Sequence, residues 1–271
     1  MYFKTQVSQT IRLILENRIM VNKIQDDSNH YSQIHDNVTL LDLSIIMPCL
    51  NEEENISLCI NQARTFIDRN RLTAEIIVVD NGSVDSSAKI AISLGARVIS
   101  EPEKGYGRAL RTGFAQSRGT VIIFGDCDST YDFLNLEPIF RPLADNKVDF
   151  MTGDRFGKDK KGKRTMQHGA MSLSHRIGVP FLSWCGRMRY GVDIHDFHCG
   201  MRGIRKDALE KLEFKTTGME FATEMIAEAR RKGLRIGQVT VALRKSKYAR
   251  TVKLRTVRDG LRHLIYIVKN G

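Results

Sequence analysis

Four short apolar runs, each parted from the next by a stretch of helical periodicity, restrict what this chain can fold into more than any other feature. Residues 43–47 are stopped by Pro48, and residues 75–79 run into Asp80-Asn81-Gly82-Ser83. Residues 97–100 make a third run, and residues 120–124 lead into Asp126-Cys127-Asp128. Runs this short and continuous suit strands buried on both faces, as in a parallel sheet. Between them, residues 52–68 place Ile56, Cys59, Ile60, Ala63 and Ile67 on one helical face. Residues 83–94 read as a helix capped by Ser83 and ended by Gly95, and residues 106–117 as another. A fifth strand is expected over residues 148–152. This alternation predicts an α/β fold with a Rossmann-like, mostly parallel sheet, flanking helices and right-handed crossovers. Ligands of such sheets bind beyond the carboxyl ends of the strands. Those ends carry residues 48–52, 80–83, 100–107 and 126–128, so polar groups collect along one edge.

Two carboxylates one residue apart at a strand end, Asp126 and Asp128, suit a divalent cation shared with a diphosphate, Mg²⁺ or Mn²⁺ being the oxygen-seeking choices. An isolated D-x-D is more often an exposed turn; its position after a buried strand raises its weight. Asp80 either meets a ribose or base, or caps the next helix. Gly105-Tyr106-Gly107 is either a nucleotide loop or a tight turn. Charge is divided unevenly: residues 1–154 carry a net −6 and residues 155–271 a net +17. An acidic half suits a cation, and a basic half suits phosphate, an anionic membrane surface or nucleic acid. No nucleic-acid module is present to favour the last. The five cysteines are scattered without a C-x-x-C pair, which points to reduced thiols and a cytoplasmic protein. No apolar run reaches the roughly 18 residues of a membrane span, and no signal peptide is read.

The segment LSIIMPCLNEEENI, then IIVVDNGSVDSSAKIA, then GARVISEPEKGYGRALRTGFAQSRGTVIIFGDCDSTYDF resembles the family 2 glycosyltransferases of GT-A fold, and among them the dolichyl- and polyprenyl-phosphate sugar synthases. IHDFHCGMRGIRKDALEKL and TTGMEFATEM resemble a bacterial branch of that group. The likeness runs over about residues 41–268, and the Q-x-x-R-W motif of processive synthases is missing. It implies a glycosyltransferase domain over residues 41–271, with nucleotide binding in 41–130 and the acceptor side and interface helices in 155–271. Residues 1–40 then form an N-terminal extension, a helix followed by a polar linker.

The resemblance implies roles residue by residue. Pro48, Leu50, Asn51 and Glu52 line the base and ribose pocket, though many relatives have an aromatic residue where Leu50 stands. Asp80, Gly82 and Ser83 shape the same pocket, and Gly105, Gly107 and Arg108 lie beside the nucleotide. Asp126 meets the nucleotide sugar, and Asp128 is the main metal ligand. Thr130 stands where some synthases have a glutamine ligand. Arg155 meets a phosphate or the sugar. Asp196, His198 and Arg202 face the acceptor. Arg202 grips its phosphate or makes an ion pair with Asp196 or Asp207; His198 is a metal ligand or a core histidine. Glu220 or Glu224 orients the sugar or Arg202. Lys245, Lys247 and Arg250 belong to a basic loop that closes over phosphate. The implied reaction is an inverting displacement from a UDP- or GDP-sugar onto a polyprenyl phosphate, which needs no strong base because it is already ionised. An alcohol acceptor would need a base, with Asp196 the first suspect. A soluble glycosyltransferase acting on a hydroxyl or thiol is the alternative, and a nucleotidyltransferase a further one. The sequence leaves a homo-oligomer open.

Residues 166–190 and the C-terminal stretch mix apolar and basic side chains, with Val257, Leu261, Leu264, Ile265 and Val268 on one helical face. Such helices either lie in a membrane interface or pack on a core. The resemblance favours a peripheral location on the inner face of a membrane.

Overall fold

Strand β1, Leu41–Cys49, alternates Leu43, Ile45 and Met47 toward one side and Ser44 and Ile46 toward the other, and all five are buried. A strand covered on both faces belongs in the middle of a sheet. β1 lies between β2, Ala74–Asp80, and β4, Gly119–Phe124, parallel to both, and β3, Arg97–Ser100, extends the same parallel set. The computed structural model describes residues 41–159, 161–246 and 256–270; the helix and linker expected over 1–40 lie outside them.

The sheet has seven strands in the order β3-β2-β1-β4-β6-β5-β7, with β5 at Phe150–Asp154, β6 at Arg202–Arg205 and β7 at Ile236–Thr240. β6 runs antiparallel to both β4 and β5, while β5 and β7 are parallel. The carboxyl ends of β1, β2, β4 and β5 therefore share an edge with the first residue of β6, Arg202.

Helices α1 (Ile56–Asn70), α2 (Ser87–Ser93) and α4 (Glu137–Ala144) supply one apolar layer: Cys59, Ile60, Ala63 and Phe66 pack with Ile45, Val78 and Ile123. On the other face, α3 (Tyr106–Gln116) and α7 (Phe221–Arg231) pack Leu110, Phe114, Phe221 and Met225 against Ile46, Ile77 and Phe124. Each such fully buried aliphatic or aromatic side chain contributes about 1.5–3 kcal/mol. Gly113 admits α3 to the sheet, since a Cβ there would meet Ile46 at 2.6 Å. The remaining helices are α5 (Leu173–Tyr190), α6 (Lys206–Leu209) and α8 (Thr256–Lys269).

The structure corrects two helix starts. α2 begins at Ser87, not Ser83, because residues 81–86 are laced to the loop after β1. The Asn51 amide donates to Ser83 Oγ at 2.9 Å, and the Val84 amide donates to Asn51 Oδ1 at 2.8 Å. With its hydroxyl spent on Asn51, Ser83 caps nothing. α1 begins at Ile56, since Glu52 C=O closes a turn with the amides of Asn55 and Ile56.

Candidate active site

The carboxylate pair follows β4 directly. The Gly125 amide donates to Ile46 C=O at 3.1 Å and extends the ladder to the edge, and Cys127 Sγ donates to Pro48 C=O at 3.2 Å. Cys127 thus points into the sheet layer, which leaves Asp126 and Asp128 to face the edge. Asp128 is only 2% exposed. Its Oδ1 accepts from the Thr130 amide at 3.1 Å and the Thr130 hydroxyl at 2.5 Å. Thr130 therefore holds Asp128 in place. Asp126 is cradled by Gly200, where a Cβ would lie 2.5 Å from Asp126 Oδ2, and it accepts a hydrogen bond from the partly buried Tyr106. Burial, and then the Asp126 charge, push the Tyr106 hydroxyl well above its ordinary pKa, so it stays a donor.

Two cavities meet at this pair, and both are lined by Asp126, Asp128, Met219 and Asp259. The first, about 470 Å³, takes Pro48, Leu50, Glu52 and Gly105 from the expected donor residues. It adds Asn81, Lys104, Tyr106, Arg258 and Arg262, which the sequence reading did not single out. Asn81 fixes the wall: its Nδ2 donates to Glu101 C=O at 2.9 Å and Glu103 C=O at 2.8 Å, and its Oδ1 accepts from the Gly105 amide at 2.8 Å. The other expected donor residues support this cavity from behind. Asp80 Oδ1 accepts from the Ser83 amide at 3.1 Å, and Gly82 turns with φ +86° beside Lys104. The Gly107 amide donates to Thr217 C=O at 3.0 Å, and a Cβ on Gly107 would strike Phe221 at 2.9 Å. Arg108 pairs with Glu103 at 2.7 Å.

The second cavity, about 460 Å³, is lined by Thr130, Tyr131, Arg155, His175, His198 and His263 together with Met171, Val179, Leu182 and Leu243. Arg155 grips Asp196 with two bonds, Nε to Oδ2 at 2.6 Å and Nη2 to Oδ1 at 2.9 Å. Burial pushes the Asp196 carboxyl up, but Arg155 outweighs it and holds the group below the usual range. Fully buried and paired, Asp196 is not placed as a general base. His198 lies edge-on to His263, ring centres 4.3 Å apart, and neither nitrogen of His198 has a hydrogen-bond partner among the described residues. Burial, then the neighbouring His263 and Arg155 charges, hold His198 neutral, well below its ordinary pKa. Burial and the nearby arginines likewise lower His263 to about 4; its Nδ1 bonds Thr223 Oγ1 at 2.8 Å.

Arg202 overturns the role expected for it. It is 1% exposed, lines neither cavity and spends its guanidinium on three main-chain carbonyls: Cys199 at 2.8 Å, Ala222 at 2.7 Å and Phe197 at 2.5 Å. It ties β6 to α7 and to the 197–199 turn, and grips no acceptor. The ion pairs considered for it fall to others, since Arg155 holds Asp196 and Arg205 holds Asp207 at 2.7 Å. Glu220 pairs with Arg262 at 2.6 Å, and Glu224 accepts the amides of Lys215 and Thr216 at 2.8 and 2.9 Å, so neither orders Arg202. Lys245 is exposed and lines neither cavity; Lys247 and Arg250 lie outside the described residues.

Helices α5 and α8 wall the second cavity with their inner residues and turn apolar side chains outward. Leu173, Ile177, Phe181, Trp184 and Met188 stand exposed on α5, and Leu261, Ile265 and Val268 on α8. No described helix is long and apolar enough to cross a membrane.

Residues 44–213 match the family model Glycosyl transferase family 2. The chain is 34% identical over 230 residues to the low-salt glycan biosynthesis hexosyltransferase Agl6 of Haloferax volcanii, covering 84% of this chain and 54% of that protein. It thus spans about half the length of Agl6. It is 31% identical to the dolichyl-phosphate hexose transferase of the same organism, covering 76% of this chain and 84% of that protein. Glucosyl-3-phosphoglycerate synthase from Mycobacterium tuberculosis, solved with phosphoglyceric acid, superimposes with a TM-score of 0.66 at 23% identity, over 85% of this chain and 80% of that one. That likeness shows the GT-A architecture. A matched domain over more than half of the chain and a relative 31% identical over 84% of its own length make this chain a member of glycosyl transferase family 2.

Proposed function

We propose that this glycosyltransferase moves a hexose or N-acetylhexosamine from a UDP- or GDP-sugar to a polyprenyl phosphate at a membrane surface, with inversion. One observation carries the reading: a cavity bordered by Lys104, Arg258 and Arg262 and a second, more apolar cavity meet at Asp126 and Asp128, and the helices around the second show apolar faces to the outside. The first cavity suits a nucleotide, with Pro48, Leu50 and Glu52 beside the base and ribose and Lys104, Arg258 and Arg262 near the phosphates. The second suits an acceptor that is part phosphate, part hydrocarbon.

The all-oxygen pair of carboxylates, one steadied by Thr130 and the other by Gly200 and Tyr106, fits Mg²⁺ or Mn²⁺. Among the described residues no three acidic, histidine or cysteine side chains group around a cation, which fits an ion that completes its shell with diphosphate oxygens and water. Such an ion neutralises charge on the departing nucleoside diphosphate. Asp128 is its principal ligand in this reading, and Asp126 positions the donor sugar. His198, neutral and facing the cavity, hydrogen-bonds the incoming oxygen. The sealing of Asp196 against Arg155 favours an acceptor that arrives ionised, because the carboxylate best suited as a base is occupied. The relative named as a dolichyl-phosphate hexose transferase supports the same choice.

The test is a panel of labelled UDP- and GDP-sugars with Mn²⁺ or Mg²⁺, offered polyprenyl phosphate in liposomes beside soluble hydroxyl and thiol acceptors. Label entering the lipid phase is expected. Label confined to a soluble product overturns the lipid acceptor, and release of pyrophosphate in place of nucleoside diphosphate overturns glycosyl transfer.

A further inference from the structure

Two of the five cysteines stand side by side on the floor of the first cavity. Cys49 is the last residue of β1, and Cys127 lies between the two carboxylates. β1 and β4 are parallel with Ile46 beside Phe124, and three further residues on each chain bring Cys49 beside Cys127. The two chains stay together over that stretch. The Gly125 amide is bonded to Ile46 C=O, and Cys127 Sγ reaches Pro48 C=O at 3.2 Å. The thiols of Cys49 and Cys127 are hydrogen-bonded to each other. Neighbouring strands run about 4.8 Å apart, which falls within the Cα separations of about 4.4–6.8 Å that a disulfide spans. Both cysteines border the first cavity, of about 470 Å³, so a small solute reaches them through it. The other three are placed differently. Cys59 and Cys199 are fully buried and border neither main cavity, and Cys185, on α5, also lies outside both. Thiol reactivity follows such access, and buried thiols without it are inert.

We propose that Cys49 and Cys127 form a site of oxidative modification, at which a peroxide joins them as a disulfide and disables the first cavity. The step balances with hydrogen peroxide as oxidant. One sulfur attacks the O–O bond, keeps one oxygen as a sulfenic acid and releases the other as water. The second sulfur then displaces the hydroxyl as a second water, so two thiols lose two hydrogens and two electrons to the peroxide. Once joined, Cys127 Sγ gives up Pro48 C=O and is drawn toward β1. The pull is applied midway between Asp126 and Asp128, and the new bond crosses the floor on which Pro48 and Leu50 stand. The disulfide follows from the thiol pair alone; the loss of nucleotide binding rests on the reading of the first cavity as the donor site.

The test treats the reduced full chain with hydrogen peroxide, alkylates the remaining thiols and maps the peptides by mass spectrometry. A peptide linking Cys49 to Cys127 is expected as the main product, in the parent and in Cys185→Ser alike. Calorimetry with UDP or GDP and Mn²⁺ is expected to show affinity at least tenfold weaker after peroxide and restored by dithiothreitol. Nucleotide and Mn²⁺ added beforehand should slow the linkage, since they cover the floor. Absence of the linked peptide, linkage of Cys127 to Cys59 instead, or a chain unfolded by peroxide as judged by circular dichroism overturns the site. Unchanged nucleotide affinity in the linked form, or equal peroxide-induced losses in the parent and in Cys49→Ala, overturns its effect on the cavity. A folded, reduced parent that binds neither nucleotide overturns the donor reading instead, and the linked peptide still decides the thiol site.

Discussion

Asp128 and Arg202 are both charged and both about 1–2% exposed, yet they serve opposite ends. Asp128 accepts hydrogen bonds from Thr130 and lines both main cavities. Arg202 turns all its bonding inward, on three carbonyls. Asp128→Asn is therefore expected to lower metal-supported turnover at least a hundredfold while the thermal melt stays within a few degrees. Undiminished turnover in this variant, or in the parent under excess EDTA, would remove Asp128 from the metal. Arg202→Lys is expected to act on stability instead. An ammonium cannot span three carbonyls in a fixed plane, so at least one is left buried without a donor, at about 1–3 kcal/mol each. Urea unfolding should show that loss, with acceptor KM unchanged in the folded fraction. A stable variant with a raised acceptor KM would restore the phosphate-gripping role.

α5 and α8 each present two faces, and each face has its own readout. The outward stripe of α5 includes Phe181 and Trp184, stacked with ring centres 6.3 Å apart and still half-exposed. Phe181→Glu with Trp184→Glu should reduce binding to anionic vesicles at least tenfold and leave nucleotide affinity intact, as judged by sedimentation and calorimetry. Unchanged vesicle binding would separate the stripe from lipid. The inward face of α8 carries His263 against His198, both with pKa values below the unfolded value of 6.5. A histidine so shifted binds its proton more readily when unfolded. Its stabilising contribution is therefore complete above about pH 6.5 and drains away as pH falls toward about 4, the value for His263. The slope is up to about 1.4 kcal/mol per pH unit for each ring. Unfolding free energies at pH 7 and pH 5 should show the drop, and His198→Gln with His263→Gln should flatten it. Parallel slopes would assign the acid sensitivity elsewhere.

At the scale of the whole molecule, the donor half was readable because local signals agreed with one another. The strand over residues 97–100 has the limits the sequence suggested, and Asp126-Cys127-Asp128 stands at the sheet edge as its position after an apolar run required. The misreadings share a cause, which is distance along the chain. Nothing local says that Ser83 is claimed by Asn51, that Arg155 takes Asp196 before Arg202 can, or that Arg202 reaches Ala222. Arg258 and Arg262 belong to the basic side chains of the C-terminal amphipathic stretch, and periodicity does not tell which cavity they meet. The antiparallel β6 was equally hidden, because a four-residue run has no direction in sequence. Yet β6 has a consequence of its own. The chain leaves the sheet after Asp154 and returns at Arg202, and most of the second cavity's lining, from Arg155 through His175 and Leu182 to His198, is carried by that one excursion. The first cavity takes none of its walls from it. Under the proposed assignment of the two cavities, exchanging residues 155–201 for those of a relative is expected to change acceptor choice and leave nucleotide affinity intact, while the walls common to both cavities, Asp126, Asp128, Met219 and Asp259, stay in place.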